Sequence, residues 1–172
     1  MDIDIFKPEQ WHDFFIMVGG GAAALAGLVF VAMSINLTTI AQDPTHKNRA
    51  VATLTGFSAV FMTCAFALIG NQNYQWLGAE WLVVSLVPTI TYIRVYIKAR
   101  KRGKSSVGLS IARFIEGTTC YVAQIIGAAL LISGHIAGLY VASIAMGLSF
   151  AFFISGAWLL IMGVYDNQVK QR

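Results

Sequence analysis

Three stretches of the chain contain no formally charged side chain, and their lengths restrict the fold more than any other sequence feature. The stretches cover 29 residues at 14–42, 30 residues at 50–79 and 49 residues at 117–165. A helix needs about 20 mostly apolar residues to cross the hydrocarbon of a bilayer. Each of the first two stretches is therefore long enough for one transmembrane helix, and the third is too long for one.

The composition agrees with a membrane protein. Hydrophobic residues make up 57% of the chain and charged residues only 12%, whereas soluble domains carry about 25% charged residues. So few charged groups cannot cover the surface of a soluble domain. The composition excludes a soluble enzyme, a disordered tail and a disulfide-stapled secreted domain. It predicts an all-α, polytopic integral membrane helical bundle.

Polar breaks divide the apolar sequence into five spans. The polar turn at 71–73 ends the second span, and the turn at 133–135 divides the longest uncharged stretch. Two further spans contain charged residues, because Arg94 and Glu116 lie within otherwise apolar segments. We predict one transmembrane domain over residues 1–172. Its five spans are expected near 14–40, 50–70, 79–97, 107–133 and 137–164.

Basic loops alternate with loops that contain no Lys or Arg. The segments 41–49, 98–108 and 165–172 are basic, whereas 71–80 and 134–136 contain neither residue type. Because cytoplasmic loops carry an excess of Lys and Arg, the alternation predicts an N-terminus outside and a C-terminus in the cytoplasm. A four-span interpretation, in which the third segment lies at the interface, would break this alternation.

Small residues recur at helical spacing on three of the predicted spans. In lipid, helices associate through close backbone approach, which small side chains permit. Tight packing within one bundle is the simpler interpretation, and a pore lining or a subunit interface is the alternative. The helix-packing residues predicted in this way are Gly20, Ala24, Gly27, Gly56, Ala59, Ser149 and Gly156.

The fourth predicted helix carries a polar stripe. At about 100° per residue, Arg113, Glu116 and Gln124 fall within an arc of about 100°. A charge near the bilayer centre costs about 2.5–3.5 kcal/mol, so Glu116 must be paired, hydrated or protonated. Arg113 lies one turn away, and Arg94 ends the neighbouring span at a similar depth. We predict an intramembrane ionic stripe that consists of Arg94, Arg113, Glu116 and Gln124. This stripe is expected to be a register-fixing ion pair, a permeation or proton-linked site, or a partner-binding site.

The loop at 98–104 carries five cations in seven residues. Such clusters beside a span attract anionic lipid headgroups, and they also fix the topology. The sequence contains no folded nucleic-acid reader beside the loop, so we predict no nucleic-acid partner. The predicted headgroup-binding residues are Lys98, Arg100, Lys101, Arg102 and Lys104.

The sequence indicates neither an enzyme nor a bound group. The histidines lie in loops or near the predicted interfaces, and no metal-ligand spacing appears. Cys64 and Cys120 do not belong to a Cys-x-x-Cys motif. No Ser, His and Asp can be assembled at one membrane depth. We therefore predict no catalytic residue, no metal and no cofactor.

Two functional hypotheses remain. In size and hydropathy the chain resembles the small multi-span proteins of bacterial inner membranes, which implies the same location. The first hypothesis is a homo-oligomeric channel or small-solute or ion transporter with the polar stripe facing the pathway. The second is a non-transporting accessory or assembly subunit of a membrane complex. Five spans do not form two equal inverted halves, which disfavours an ordinary secondary transporter. The predicted partners are the lipid bilayer and either copies of the chain or other membrane subunits.

Overall fold

The computed structural model describes residues 8–42, 44–70, 72–101 and 107–170, and every element in these ranges is a helix. The side chains at 8–10, 45, 98–101, 107–114, 160 and 163–170 lie outside this description. The helices in chain order are α1 (Pro8–Ile35), α2 (Leu37–Gln42), α3 (Pro44–Ala67), α4 (Tyr74–Lys101), α5 (Val107–Ile132) and α6 (Ala137–Lys170).

Among the described residues, five helices are long and apolar enough to cross a membrane, as the uncharged stretches predict. Mean hydropathy of these segments ranges from 1.3 to 2.3. The architecture is therefore that of an integral membrane helical bundle. The candidate spans are Trp11–Ile35, His46–Ala67, Tyr74–Ile97, Ile115–Ile132 and Ala137–Leu159.

The first span ends earlier than the sequence predicts. Helix α1 stops at Ile35, and the chain continues through the short α2 rather than extending α1 to Ile40. The side chains of Ser34 and Asn36 donate hydrogen bonds of 2.9 and 3.0 Å to backbone carbonyls four residues earlier. Such bonds compete with regular helix geometry and often bend it. Ile40 is then buried against Ala50 at the start of α3.

Helices α3, α4, α5 and α6 form a four-helix core, and α1 lies on its outside. Within the core, α5 packs against α4 and α6, and α3 packs against the same two helices. Helix α1 packs mainly against α3, with a smaller contact to α6. Only 22% of the residues in the apolar stretch of α1 are buried, against 50% in that of α6.

Glycines set the closest approaches between the core helices. A Cβ atom added to Gly78 of α4 would lie 2.8 Å from the carbonyl oxygen of Ala128 on α5. One added to Gly138 of α6 would lie 2.8 Å from the backbone nitrogen of Leu131 on α5. Backbone atoms cannot move aside without displacing a whole helix in a close-packed interior. These two positions therefore require glycine and hold α5 backbone to backbone against its neighbours.

Aromatic rings cross the core in a continuous layer. The ring centroids of Phe57 on α3 and Phe153 on α6 are 5.5 Å apart, and those of Tyr121 on α5 and Tyr92 on α4 are 5.4 Å apart. The centroids of Phe153 and Tyr121, 6.5 Å apart, join the two pairs. These separations are those that aromatic pairs prefer, about 4.5–7 Å. One ring from each core helix thus belongs to this aromatic layer.

Candidate functional site

The described part of the polar stripe forms one hydrogen-bonded contact inside the bundle. Gln124 Nε2 on α5 donates a 3.0 Å hydrogen bond to the Oγ atom of Ser149 on α6. That hydroxyl donates in turn to the backbone carbonyl of Ala145 at 2.7 Å. The thiol of Cys120, one turn before Gln124, also lies within hydrogen-bonding range of Ser149. The contact therefore ties α5 to α6.

The hydroxyl of Ser149 is fully engaged within the bundle. Ser149 is fully buried, with 0% of its surface exposed. A hydroxyl carries one hydrogen, and that of Ser149 is already donated within its own helix. Interhelical hydrogen bonds in membrane proteins contribute about 0.6 kcal/mol on average. Gln124 and Ser149 accordingly fix the register of two helices.

Arg94 does not belong to this contact. Tyr92, two residues earlier, packs on Gly117 of α5, because a Cβ added at Gly117 would lie 2.5 Å from the Tyr92 hydroxyl. Two residues turn an α-helix by about 200°, so Arg94 points away from α5. Its side chain is exposed, as are those of Val87 and Ile90 on the same side of α4. Arg94 thus lies on an outward-facing, aliphatic surface.

Glu116 is also exposed, but on a different side of the bundle. Gly127, which packs against Ala142 of α6, lies at nearly the same angle around α5, about 20° away. Glu116 is therefore on the α6 side of α5, away from α4 and from Arg94. Arg94 and Glu116 thus point outward from different sides of the bundle, which does not favour the predicted cluster of the two residues. The Arg113 side chain lies outside the described residues, and its pairing with Glu116 stays a prediction.

The small residues predicted on α1 do not pack against another helix among the residues that the structure describes. Gly20, Ala24 and Gly27 are exposed, and nothing lies within 4 Å of a Cβ added at Gly20 or Gly27. Instead, Gly19 approaches α3, where an added Cβ would lie 2.9 Å from that of Cys64. Helix α1 has small residues on several sides, and the sequence does not show which side packs within the chain, so the alternative of a subunit interface stays open for Gly20, Ala24 and Gly27. We call Gly20, Ala24 and Gly27 the outward face of α1.

The packing residues predicted on α3 and α6 lie where these helices meet or partly inside the bundle. Gly56 is buried and contacts the ring of Phe153 on α6. Gly156 is half-buried, and a Cβ added there would lie 3.5 Å from the hydroxyl of Thr53 on α3. Ala59 is half-buried. Gly56 and Gly156 thus let α3 and α6 approach each other across the core.

Trp81 is a further anchoring residue that the sequence analysis does not single out. Its indole Nε1 donates a 2.9 Å hydrogen bond to the backbone carbonyl of Thr63 on α3, and only 3% of the residue is exposed. The signal for such a residue is a tryptophan within an apolar span, whose N–H needs an acceptor away from water. The backbone acceptor itself has no sequence signal.

The predicted headgroup-binding residues remain a prediction. Residues 102–106 lie outside the described ranges, and so do the side chains at 98–101. The structure therefore gives no side-chain positions for their predicted binding to anionic headgroups. The residues concerned are Lys98, Arg100, Lys101, Arg102 and Lys104.

The described residues contain no metal-binding arrangement. Among them, no group of three or more His, Cys, Asp or Glu side chains is placed to hold a metal ion. Cys64 and Cys120 are buried free thiols. Each packs in a helix contact: Cys64 lies against Gly19, and Cys120 lies beside Ser149.

No protein-family model, curated protein or solved structure matches the chain. The functional argument therefore depends on the geometry of the described helices. Two features distinguish that geometry: the aromatic layer across the four-helix core, and the open outward face of α1.

Proposed function

We propose that the chain is a non-enzymatic, non-transporting assembly subunit of the membrane. It binds a second copy of itself through the outward face of α1. The observation that carries this proposal is the open space around Gly20 and Gly27, in the middle of an apolar span. Exposed backbone of this kind permits the close helix approach that drives association in lipid.

The position of α1 supports the same proposal. Helix α1 lies outside the four-helix core and packs mainly against α3, so its opposite side is accessible to another chain. The exposed large side chains of Met17 and Val31 lie before and after the outward face of α1, whereas the outward side of α4 presents large side chains along its middle, at Val83, Val87 and Ile90. Large aliphatic side chains suit contact with lipid tails, whereas small ones lower the distance at which a second helix can pack.

The aromatic layer supports a non-transporting role. Four rings, one from each core helix, contact one another in series across the core. The hydrogen bond between Gln124 of α5 and Ser149 of α6 is partly buried and joins two helices of the core. A polar pathway through a single copy would have to pass the aromatic layer, which offers mainly apolar surface. These observations favour assembly over transport within one subunit.

Oligomer size in a membrane-like environment tests the proposal. Gly20→Leu adds bulk to the outward face of α1 without contacting any described atom of the same chain. Ala129→Leu adds similar bulk to an exposed position of α5 and serves as the matched control. Single-molecule photobleaching in nanodiscs should show dimers or larger assemblies for the unmodified chain and for Ala129→Leu.

Gly20→Leu should weaken association about tenfold, the equivalent of about 1.4 kcal/mol. Its thermal unfolding should match that of the unmodified chain, because the substitution meets open space. A monomeric unmodified chain would contradict the proposal. Equal assembly of Gly20→Leu and Ala129→Leu would contradict the assignment to α1.

A channel formed between copies is the second candidate, and the position of Glu116 favours it. Glu116 and Thr119 are both exposed on α5 within an apolar span. If copies assemble with this side inward, the two residues line a shared pathway. Ion flux into liposomes would then depend on Glu116→Gln, and Glu80→Gln, at the other end of the bundle, would serve as the control. Absence of flux from the unmodified chain eliminates this candidate.

The orientation proposed from the loop charges is an N-terminus outside and a C-terminus in the cytoplasm of a bacterial inner membrane. The alternation of basic and non-basic loops supports it. Reporter fusions at 71–76 should report the outside, and fusions at 100–104 should report the cytoplasm. Both fusions reporting the same side would contradict the five-span orientation.

A further inference from the structure

Arg94 is an exposed cation near one end of an apolar, outward-facing surface. Because it is turned away from α5, its side chain points out of the bundle. We propose that Arg94 binds the phosphate group of a phospholipid whose acyl chains lie along the outward face of α4. That face consists of the exposed side chains of Val83, Leu86, Val87, Ile90, Ile93 and Ile97.

The depth of Arg94 suits a headgroup phosphate. The apolar span of α4 runs from Tyr74 to Ile97, so Arg94 lies one turn before its end. One turn is about 5.4 Å along the helix axis. The long Arg side chain extends toward the interface along its own methylene groups. The guanidinium therefore reaches the layer in which phospholipid phosphates lie, while the aliphatic face stays beside the acyl chains.

A second cation lies at the same level on the neighbouring helix. The hydrogen bond from Trp81 to Thr63 aligns α4 with the antiparallel α3. Arg94 follows Trp81 by the same number of residues by which Ala50 precedes Thr63, so Arg94 lies level with Ala50. The exposed Arg49 directly precedes Ala50. Each cation near a membrane surface attracts anionic lipid. The two arginines therefore favour an anionic phospholipid over a zwitterionic one.

The guanidinium group adds geometric preference to charge. Its planar fork binds two phosphate oxygens at once, whereas the ammonium group of Lys acts as a point charge. The Arg94→Lys variant keeps the positive charge but loses the bidentate contact with phosphate. Comparing Arg94→Gln with Arg94→Lys therefore separates general attraction from a defined phosphate contact.

Native mass spectrometry of the purified full chain, titrated with phosphatidylglycerol in detergent, tests the site. Arg94→Gln should lower the lipid affinity by more than about fivefold, because it removes the phosphate contact in addition to the general attraction of one nearby cation, and Arg94→Lys should lie between it and the unmodified chain. The matched control is Lys47→Gln, which removes an equal exposed charge from the start of α3. That control should lose at most the effect of one nearby cation, about fivefold. Thermal unfolding of each variant confirms that the exposed substitutions leave the fold intact.

Soluble glycerol phosphate in excess should not displace the bound lipid, because it lacks the acyl chains that contact α4. Displacement by glycerol phosphate would overturn the proposal in favour of a site for free phosphate. An equal loss of affinity in Arg94→Gln and Lys47→Gln would show general charge attraction, and an unchanged affinity in Arg94→Gln would show that Arg94 binds no lipid. Either result overturns the proposal. The outcome does not depend on self-association through α1.

Discussion

The seam between α5 and α6 and the outward face of α1 contain the same kind of residue in opposite surroundings. In the seam, a Cβ added to Gly127 would lie 2.9 Å from the backbone nitrogen of Ala142. On α1, a Cβ added to Gly20 or Gly27 would have nothing within 4 Å. Small residues at helical spacing therefore mark where a helix can be approached closely. They do not identify the helix that approaches.

The difference also separates stability from assembly. Glycines in the seam are already in contact within one chain, so changing them should affect the fold. Glycines on the outward face of α1 contact no described atom of the chain, so changing them should affect only what binds from outside. Each of the following variants tests one side of this distinction.

Gly138→Ala should have the largest effect, because the added Cβ would meet the backbone of α5 at 2.8 Å. Overpacking of a close-packed interior costs about 1–3 kcal/mol. The free energy of unfolding in mild detergent should fall by that amount. Gly147→Ala is the control, since it lies on the same helix with nothing within 4 Å of the added atom. If both variants were equally stable, the seam would not be as close as described.

Gly19→Ala and Gly20→Ala compare the two faces of α1 at adjacent positions. The Cβ added at Gly19 would lie 2.9 Å from the Cβ of Cys64, which is fixed to the α3 backbone. Gly19→Ala should therefore destabilise the protein by about 1–2 kcal/mol, within the usual range for overpacking. Gly20→Ala should leave thermal unfolding unchanged or raise its midpoint, because Ala is the better helix former. The reverse order of stabilities would mean that α1 is rotated relative to α3.

Ser149→Ala should have the smallest measurable effect on the seam. It removes the acceptor of the Gln124 hydrogen bond, and such bonds contribute about 0.6 kcal/mol in membrane proteins. The control is Ser133→Ala, because Ser133 is exposed directly after α5 and its hydroxyl donates to the backbone carbonyl of Ala129 at the end of that helix. Chemical unfolding should separate the two variants by about that energy. A loss several times larger would show that Ser149 supports more than one helix contact.

The uncharged stretches, the polar breaks and the alternation of basic loops together predict the number of spans, including the two that contain Arg94 and Glu116. The sequence also predicts that Gly56, Ser149 and Gly156 serve helix packing. It does not predict which side of α1 packs, because lipid and bundle interior are both apolar and hydrophobicity does not distinguish them.

The same limit explains why the sequence does not predict the directions in which Arg94 and Glu116 point. Whether Arg94 faces α5 or lipid depends on how far α4 is rotated, and that rotation is set by the contacts of Tyr92 with Gly117 and of Trp81 with Thr63. Spacing along one helix does not contain this information. The sequence could therefore place Arg94 and Glu116 at a similar depth without showing that they point outward from different sides.

Cysteine cross-linking in native membranes tests the central claim most directly, namely that a second copy packs on the outward face of α1. The native Cys64 and Cys120 are buried, and the unmodified chain shows how much cross-linking these two thiols give. Ala24→Cys places a thiol on the outward face of α1, and Val83→Cys places one on the exposed side of α4. Oxidation should link two copies of the chain through Ala24→Cys and leave Val83→Cys monomeric. Linkage through Val83→Cys without linkage through Ala24→Cys would contradict the account.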